Sequence, residues 1–186
     1  MVLKIVNYGD PILRKVGRSI TKVTPEIREL VADMIDKMHE AHGIGLAAQQ
    51  VGRDLQLAVI DIPKDIERPS RMWLEGKEVD LHDYMPLVLI NPQITLTKKK
   101  ETDSEGCLSF PGLTVEVSRG YRVSVTCMNL EGKTWSFDAA GLLGRAVQHE
   151  VDHLNGILFI DRLTKAERAL AQGEIDALRG QSVTAG

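Results

Sequence analysis

The sequence predicts an α+β fold, with antiparallel sheets packed around a central helix and another helix toward the C-terminal end. Three observations carry that expectation. Apolar residues recur at helical spacing over 24–39. Four segments between 87 and 139 alternate in the manner of strands, with glycine-containing turns such as Glu131-Gly132 between them. A second helical segment runs over 139–155 and is closed by Gly156.

Taken in order, Thr24 can cap the first helix, Pro25 suits its first turn and Glu26 adds a favourable early charge. Ile27, Leu30, Val31, Met34, Ile35 and Met38 then mark one apolar face to about His39, and Gly43-Ile44-Gly45 ends the helix. After Leu46 to Gly52, LQLAVIDI (55–62) is a short apolar run of the kind that forms a buried strand. Residues 64–86 are mostly polar and are expected to form a surface insertion, with His82 a solvated loop histidine. Strands are expected over 87–96, 113–118, 121–130 and 133–139. Cys127 alternates with Val123 and Val125 on the inward face and reads as a small core residue. The helix over 139–155 follows, and TKAERALAQGEIDALRG (164–180), with Thr164 as its cap, makes a third.

At 186 residues the chain is long enough for one well-filled core and suits a single domain spanning 1–186. Its net charge of −3 and the lack of a basic block beyond Lys98-Lys99-Lys100, itself a solvated strand end or turn, argue against stable nucleic-acid binding. The N-terminal residues lack a secretion signal, and no segment approaches the length of a membrane span, so a cytoplasmic protein is expected. Two cysteines are too few for a disulfide framework.

The chemistry concentrates in QHEVDHLNG (148–156). On a helix, His149 and His153 stand one turn apart on one face and can aim their rings at one ion. Glu150 beside them can take a proton from water there without being a ligand. A hydrolytic site needs a third protein ligand. A third histidine six residues after His153, as in one protease class, is absent, because Phe159 stands there. Glu174, in QGEIDAL, sits where another protease class takes its third ligand, but too little chain follows for the large second domain of those enzymes. EGCLSFPG (105–112) offers Cys107, beside a glycine, Gly106, that lets backbone approach a site. Alone, Cys107 would read as an inert thiol. With His149 and His153 it completes a Cys-His-His set that leaves the fourth position open.

With GIGLAAQQ (43–50), EGCLS (105–109) and QHEVDH (148–153) in this order, the sequence resembles the bacterial peptide deformylases, from YGDPILR near the N-terminus through HLNGILFIDRL. The resemblance implies a metal-dependent hydrolase that removes the formyl group from the N-terminal formylmethionine of nascent peptides. It further implies that the Gln50 amide and the Leu108 backbone N–H stabilise the oxygen on which charge develops, and that backbone around Ile44 and Gly45 pairs with an extended substrate. Gly43 and Gly45 suit that task, since glycine exposes backbone. Leu142, Ala146 and also Leu143 offer an apolar slot for the methionine side chain, and Gln148 a structural role. Ligand types alone suggest zinc, whereas the resemblance implies Fe2+, replaceable by Zn2+, Ni2+ or Co2+. The family's last helix often docks on the ribosome through a basic face. Here Lys165, Arg168 and Arg179 are balanced by Glu167, Glu174 and Asp176, which counts against that contact. Two alternatives stay open: a metallopeptidase using Glu174, and an inactive peptide-binding relative, although Gln50, Cys107 and Glu150 are all present.

Overall fold

The computed structural model describes residues 3–183. Among these residues, strands β1 (Gly45–Ala47), β2 (Leu57–Ile60), β3 (Ser70–Leu74), β4 (Lys77–Val79), β5 (Leu87–Leu96), β8 (Arg122–Met128) and β9 (Thr134–Ala140) form one sheet in the order β1-β2-β5-β8-β9-β3-β4. Every pairing in it is antiparallel. A separate hairpin joins β6 (Lys100–Cys107) to β7 (Phe110–Gly120). The helices are α1 (Pro25–Glu40), α2 (Gly141–Leu154) and α3 (Lys165–Val183). This is the α+β architecture expected from the sequence.

Strand alternation decides what packs where. In β2, Ala58 and Ile60 face a core shared with Leu143, Val147, Val151 and Leu154 of α2, whereas Leu57 and Val59 face Val31, Met34 and Met38 of α1. The two helices therefore cover opposite faces of the sheet, and β2 is apolar throughout because both its faces are buried. On the far side of α2, Phe110, Leu113 and Val117 of β7 close a third cluster with Phe159, Ile160 and, from α3, Ala171 and Ile175. Helix α2 thus runs between the sheet and the hairpin, and every residue from Leu142 to Leu154 is buried.

Local capping follows the sequence. Thr24 accepts the Ile27 N–H, and Thr164 forms a reciprocal box with Glu167 at the start of α3. The end of α1 falls within one residue of the expected His39, but the turn after it is made by His42 and not by a glycine. The helix stops at Glu40, and His42 turns left-handed at φ 54° so that the Gly43 N–H reaches the Met38 carbonyl. Gly45 belongs to the next strand.

Residues 64–86 also depart from the expected surface excursion. They contain β3 and β4, which extend the sheet beyond β9, and they bury Met72 and Leu81 in the α2 core. Their polar residues face outward from this edge, where Arg71 and Arg122 lie over the Trp73 ring. His82 sits in a short 3-10 turn, half-buried against Asp80 rather than fully solvated.

Candidate metal and catalytic site

The ligand atoms of Cys107, His149 and His153 all lie within 4.8 Å of one another. The two histidines come from successive turns of α2, as their spacing requires. Cys107 comes from the end of β6, where the register with β7 shifts, and its Sγ stands 3.3 Å from His153 Nε2. His149 Nδ1 lies 3.0 Å from Glu105 Oε2, which leaves its Nε2 free as the donor atom.

Glu105 is the centre of a buried charge network. It receives Arg119 Nε and Nη2 at 2.8 and 2.9 Å and Arg145 Nη1 at 2.8 Å. Arg119 also pairs with Asp152, which in turn pairs with Arg162. Burial opposes ionisation of Glu105, but the hydrogen bonds from Arg119 and His149 outweigh it and hold the carboxyl far below the usual carboxylate range. The sequence reading assigned no role to Glu105, Arg119, Arg145 or Asp152. Nothing in the sequence marks Glu105, because the strand that carries it lacks apolar alternation and its register shifts just before Cys107.

Glu150 is buried and its Oε2 has no hydrogen-bond partner. Burial is the main cause that pushes its carboxyl up to about 7, with the His149 charge opposing. Gly45 makes room for it, since a Cβ at that position would collide with Glu150 Oε1. Gln50, in the 3-10 turn after β1, accepts the Ala47 N–H on Oε1 at 2.8 Å. That bond orients Nε2 toward the cluster, 3.5 Å from Cys107 Sγ and 3.3 Å from Ser109 Oγ.

These donors fit a divalent metal. A thiol and two imidazoles converge, and an unpaired carboxylate oxygen and an amide N–H stand beside them. Burial disfavours charge on both rings. At His149 the Cys107 and Glu105 acceptors overcome it and raise the pKa, whereas His153 is held well below its ordinary value.

A pocket of about 430 Å³ opens over the cluster. It is bordered by all the expected site residues except Leu143 and His153, the latter 1% exposed behind them. Gly43, Ile44 and Gly45 form one lip, and a Cβ on Gly43 would come within 2.6 Å of the Leu108 side chain. A Cβ on Gly106 would meet nothing closer than 3.7 Å, so protein packing does not demand that glycine. Leu142 and Ala146 form the apolar wall, but Leu143 turns into the sheet core and is fully buried there. Gln148 exchanges hydrogen bonds with both backbone groups of Gly120, which ties α2 to β7. Glu174 is exposed on α3 and lies outside the donor cluster.

The polypeptide deformylase family model matches residues 2–169. A peptide deformylase of Methylacidiphilum infernorum is 46% identical over 98% of this chain and 96% of its own length. One from Opitutus terrae is 42% identical over 96% of this chain and 93% of its own length. The crystal structure of peptide deformylase from Plasmodium falciparum superposes with a TM-score of 0.82 at 33% identity, covering 97% of this chain and 98% of that one.

Proposed function

Since this chain belongs to the polypeptide deformylase family, and is a metal-dependent hydrolase that removes the N-formyl group from nascent peptides, we propose that Cys107, His149 and His153 hold its metal and that Glu150 moves the proton. The observation that carries this assignment is the convergence of those three donors beside the unpaired, buried oxygen of Glu150.

When bound, a divalent metal supplies Lewis acidity, which makes water a nucleophile at neutral pH. Glu150 accepts the proton that the attacking water releases and returns it to the departing amine nitrogen, so one carboxyl group serves both halves of the reaction. Its raised pKa suits that shuttle, because burial leaves it neither strongly acidic nor permanently protonated. The Gln50 Nε2–H and the Leu108 N–H donate to the formyl oxygen as charge builds on it, worth roughly 3 kcal/mol each.

The substrate's backbone lies against residues 43–45. Strand β1 is the outermost strand of the sheet, so an extended peptide can add to it. The Ile44 carbonyl is already taken by the Asp61 N–H at 2.9 Å, so the added strand relies on the other backbone groups of this lip. The first side chain, methionine, lies along Leu142 and Ala146, with Gly106 leaving the facing wall open.

We read the metal as Fe2+, with Zn2+, Ni2+ or Co2+ as substitutes, because a thiolate with two imidazoles accepts all of them. We read the chain as one domain, to which 64–86 adds an edge hairpin. Among the described residues, no helix is long and apolar enough to cross a membrane. The cytoplasm, where new polypeptides carry the formyl group, is the compartment we assign. Ribosome docking through α3 gains no support, since its charges balance and Arg168 is engaged with the Ile160 carbonyl and Asp161. The metallopeptidase alternative loses its ligand in the exposed Glu174.

The test is formate release from a formyl-Met tripeptide by protein purified without oxygen, with metal content measured on the same sample. Stoichiometric iron and rapid formate release are expected, with unformylated peptide left intact. Cleavage of internal peptide bonds instead would overturn the assignment.

A further inference from the structure

The slot beside α2 has a second end, opposite the metal donors. His149, Ala146 and Leu142 follow one another at helical spacing and border the same pocket. At about 1.5 Å per residue, Leu142 lies roughly 10 Å along the axis from His149. The chain that meets α2 there is the segment leading into β3. The Leu142 N–H donates to the Pro69 carbonyl at 2.8 Å, and a Cβ on Gly141 would collide with that same oxygen. Arg68, the preceding residue, also borders the pocket. Its guanidinium reaches across to Asp103 on β6 at 2.5 Å. Asp103 is itself held, since its carboxylate accepts the Ser104 N–H and its carbonyl faces Arg145 Nη1 at 3.5 Å. The bridge therefore joins the edge hairpin to the β6–β7 hairpin at the far end of the slot.

We infer that the Arg68–Asp103 ion pair is the end-stop of the side-chain slot and limits the length of the substrate's first side chain. The inference rests on the reading of Leu142 and Ala146 as the wall for that side chain. An ion pair with side chains 38% and 53% exposed adds little to stability, so its position is what matters here. It rejects a longer apolar chain in two ways. The guanidinium blocks the path, and an apolar tail pressed against it strips water from its charge without replacing the hydrogen bonds. Arg145, the other arginine on the pocket wall, offers no comparable stop, because Glu105 and backbone carbonyls already hold it.

The experiment uses the full-length, metal-loaded enzyme and formyl tripeptides whose first residue is norleucine or its homologues longer by one and two methylenes. The quantity read is the ratio of kcat/KM for each longer substrate to that for norleucine. Because it is a ratio within one preparation, partial unfolding or metal loss in a variant cancels. Wild type should show a steep fall beyond norleucine. In Arg68→Ala the ratio should rise by roughly tenfold or more, the discrimination that a methylene carries in an apolar pocket. Asp103→Ala, which frees the arginine without removing it, should raise the ratio by less. The gain should appear mainly in KM, since the stop acts on binding. Unchanged ratios in both variants, or a wild type that accepts the longer chains as readily as norleucine, would overturn the end-stop while leaving the deformylase assignment intact. A wild type that releases no formate from any of these peptides would overturn the assignment and the end-stop together.

Discussion

Glu150 illustrates how a single side chain is set up by its neighbours. Burial with an unpaired oxygen raises its pKa, and the space it occupies exists only because residue 45 has no Cβ. Gly45 exposes backbone at the lip of the pocket. Its missing Cβ also makes room for the Glu150 carboxyl. Gly45→Ala should therefore push the carboxylate off its position and lower kcat by roughly a hundredfold, the scale of a misplacement of about 1 Å at a reacting centre. Metal content should stay near that of wild type, because the three atoms nearest the added methyl all belong to Glu150. A variant with normal kcat would show that Glu150 tolerates displacement. At this scale the sequence was informative, because Cys107, His149 and His153 are chemically distinctive and sit in short motifs. Glu105, Arg119 and Arg145 were not, because an acidic or basic residue in a sequence looks like surface until its partners are seen.

Among the elements, legibility followed burial. Helix α1 and strands β5, β8 and β9 present buried apolar positions on a regular spacing, so their pattern is visible in the sequence. Strand β6 is not visible in this way. It pairs only with β7, most of its residues are exposed or half-exposed, and KETDSEGC has no apolar alternation. The edge hairpin escaped for a related reason, since the few residues it buries, such as Met72, are scattered among charges. Helix α2 poses the opposite difficulty, being wholly buried yet carrying six polar side chains, each of which needs partners. The arginine-carboxylate network supplies many of them. Replacing Arg119, itself 4% exposed, with leucine would leave Glu105 and Asp152 each short of a partner inside the protein. The expected loss is about 3–5 kcal/mol of unfolding free energy, measured by chemical denaturation. A loss below about 1 kcal/mol would mean that Arg145 and Arg162 suffice alone.

Over the whole molecule, the site is an intersection of parts that share little sequence. Helix α2 brings two histidines and Glu150, the β6–β7 hairpin brings Cys107 across from the other side, and the turn after β1 brings Gln50. The sheet fixes their mutual positions because α2 is clamped between it and the hairpin. On the proposed assignment, holding the metal and doing the chemistry are divided between different side chains, and that division is the central claim. The Glu150→Gln variant tests it most directly, with metal content and formate release from formyl-Met peptide measured on one preparation beside wild type. Glutamine keeps the shape and can hydrogen-bond to water but cannot take its proton at neutral pH. The account predicts unchanged metal content and turnover lower by roughly a hundredfold to ten-thousandfold. Loss of the metal, or formate release near the wild-type rate, would contradict it.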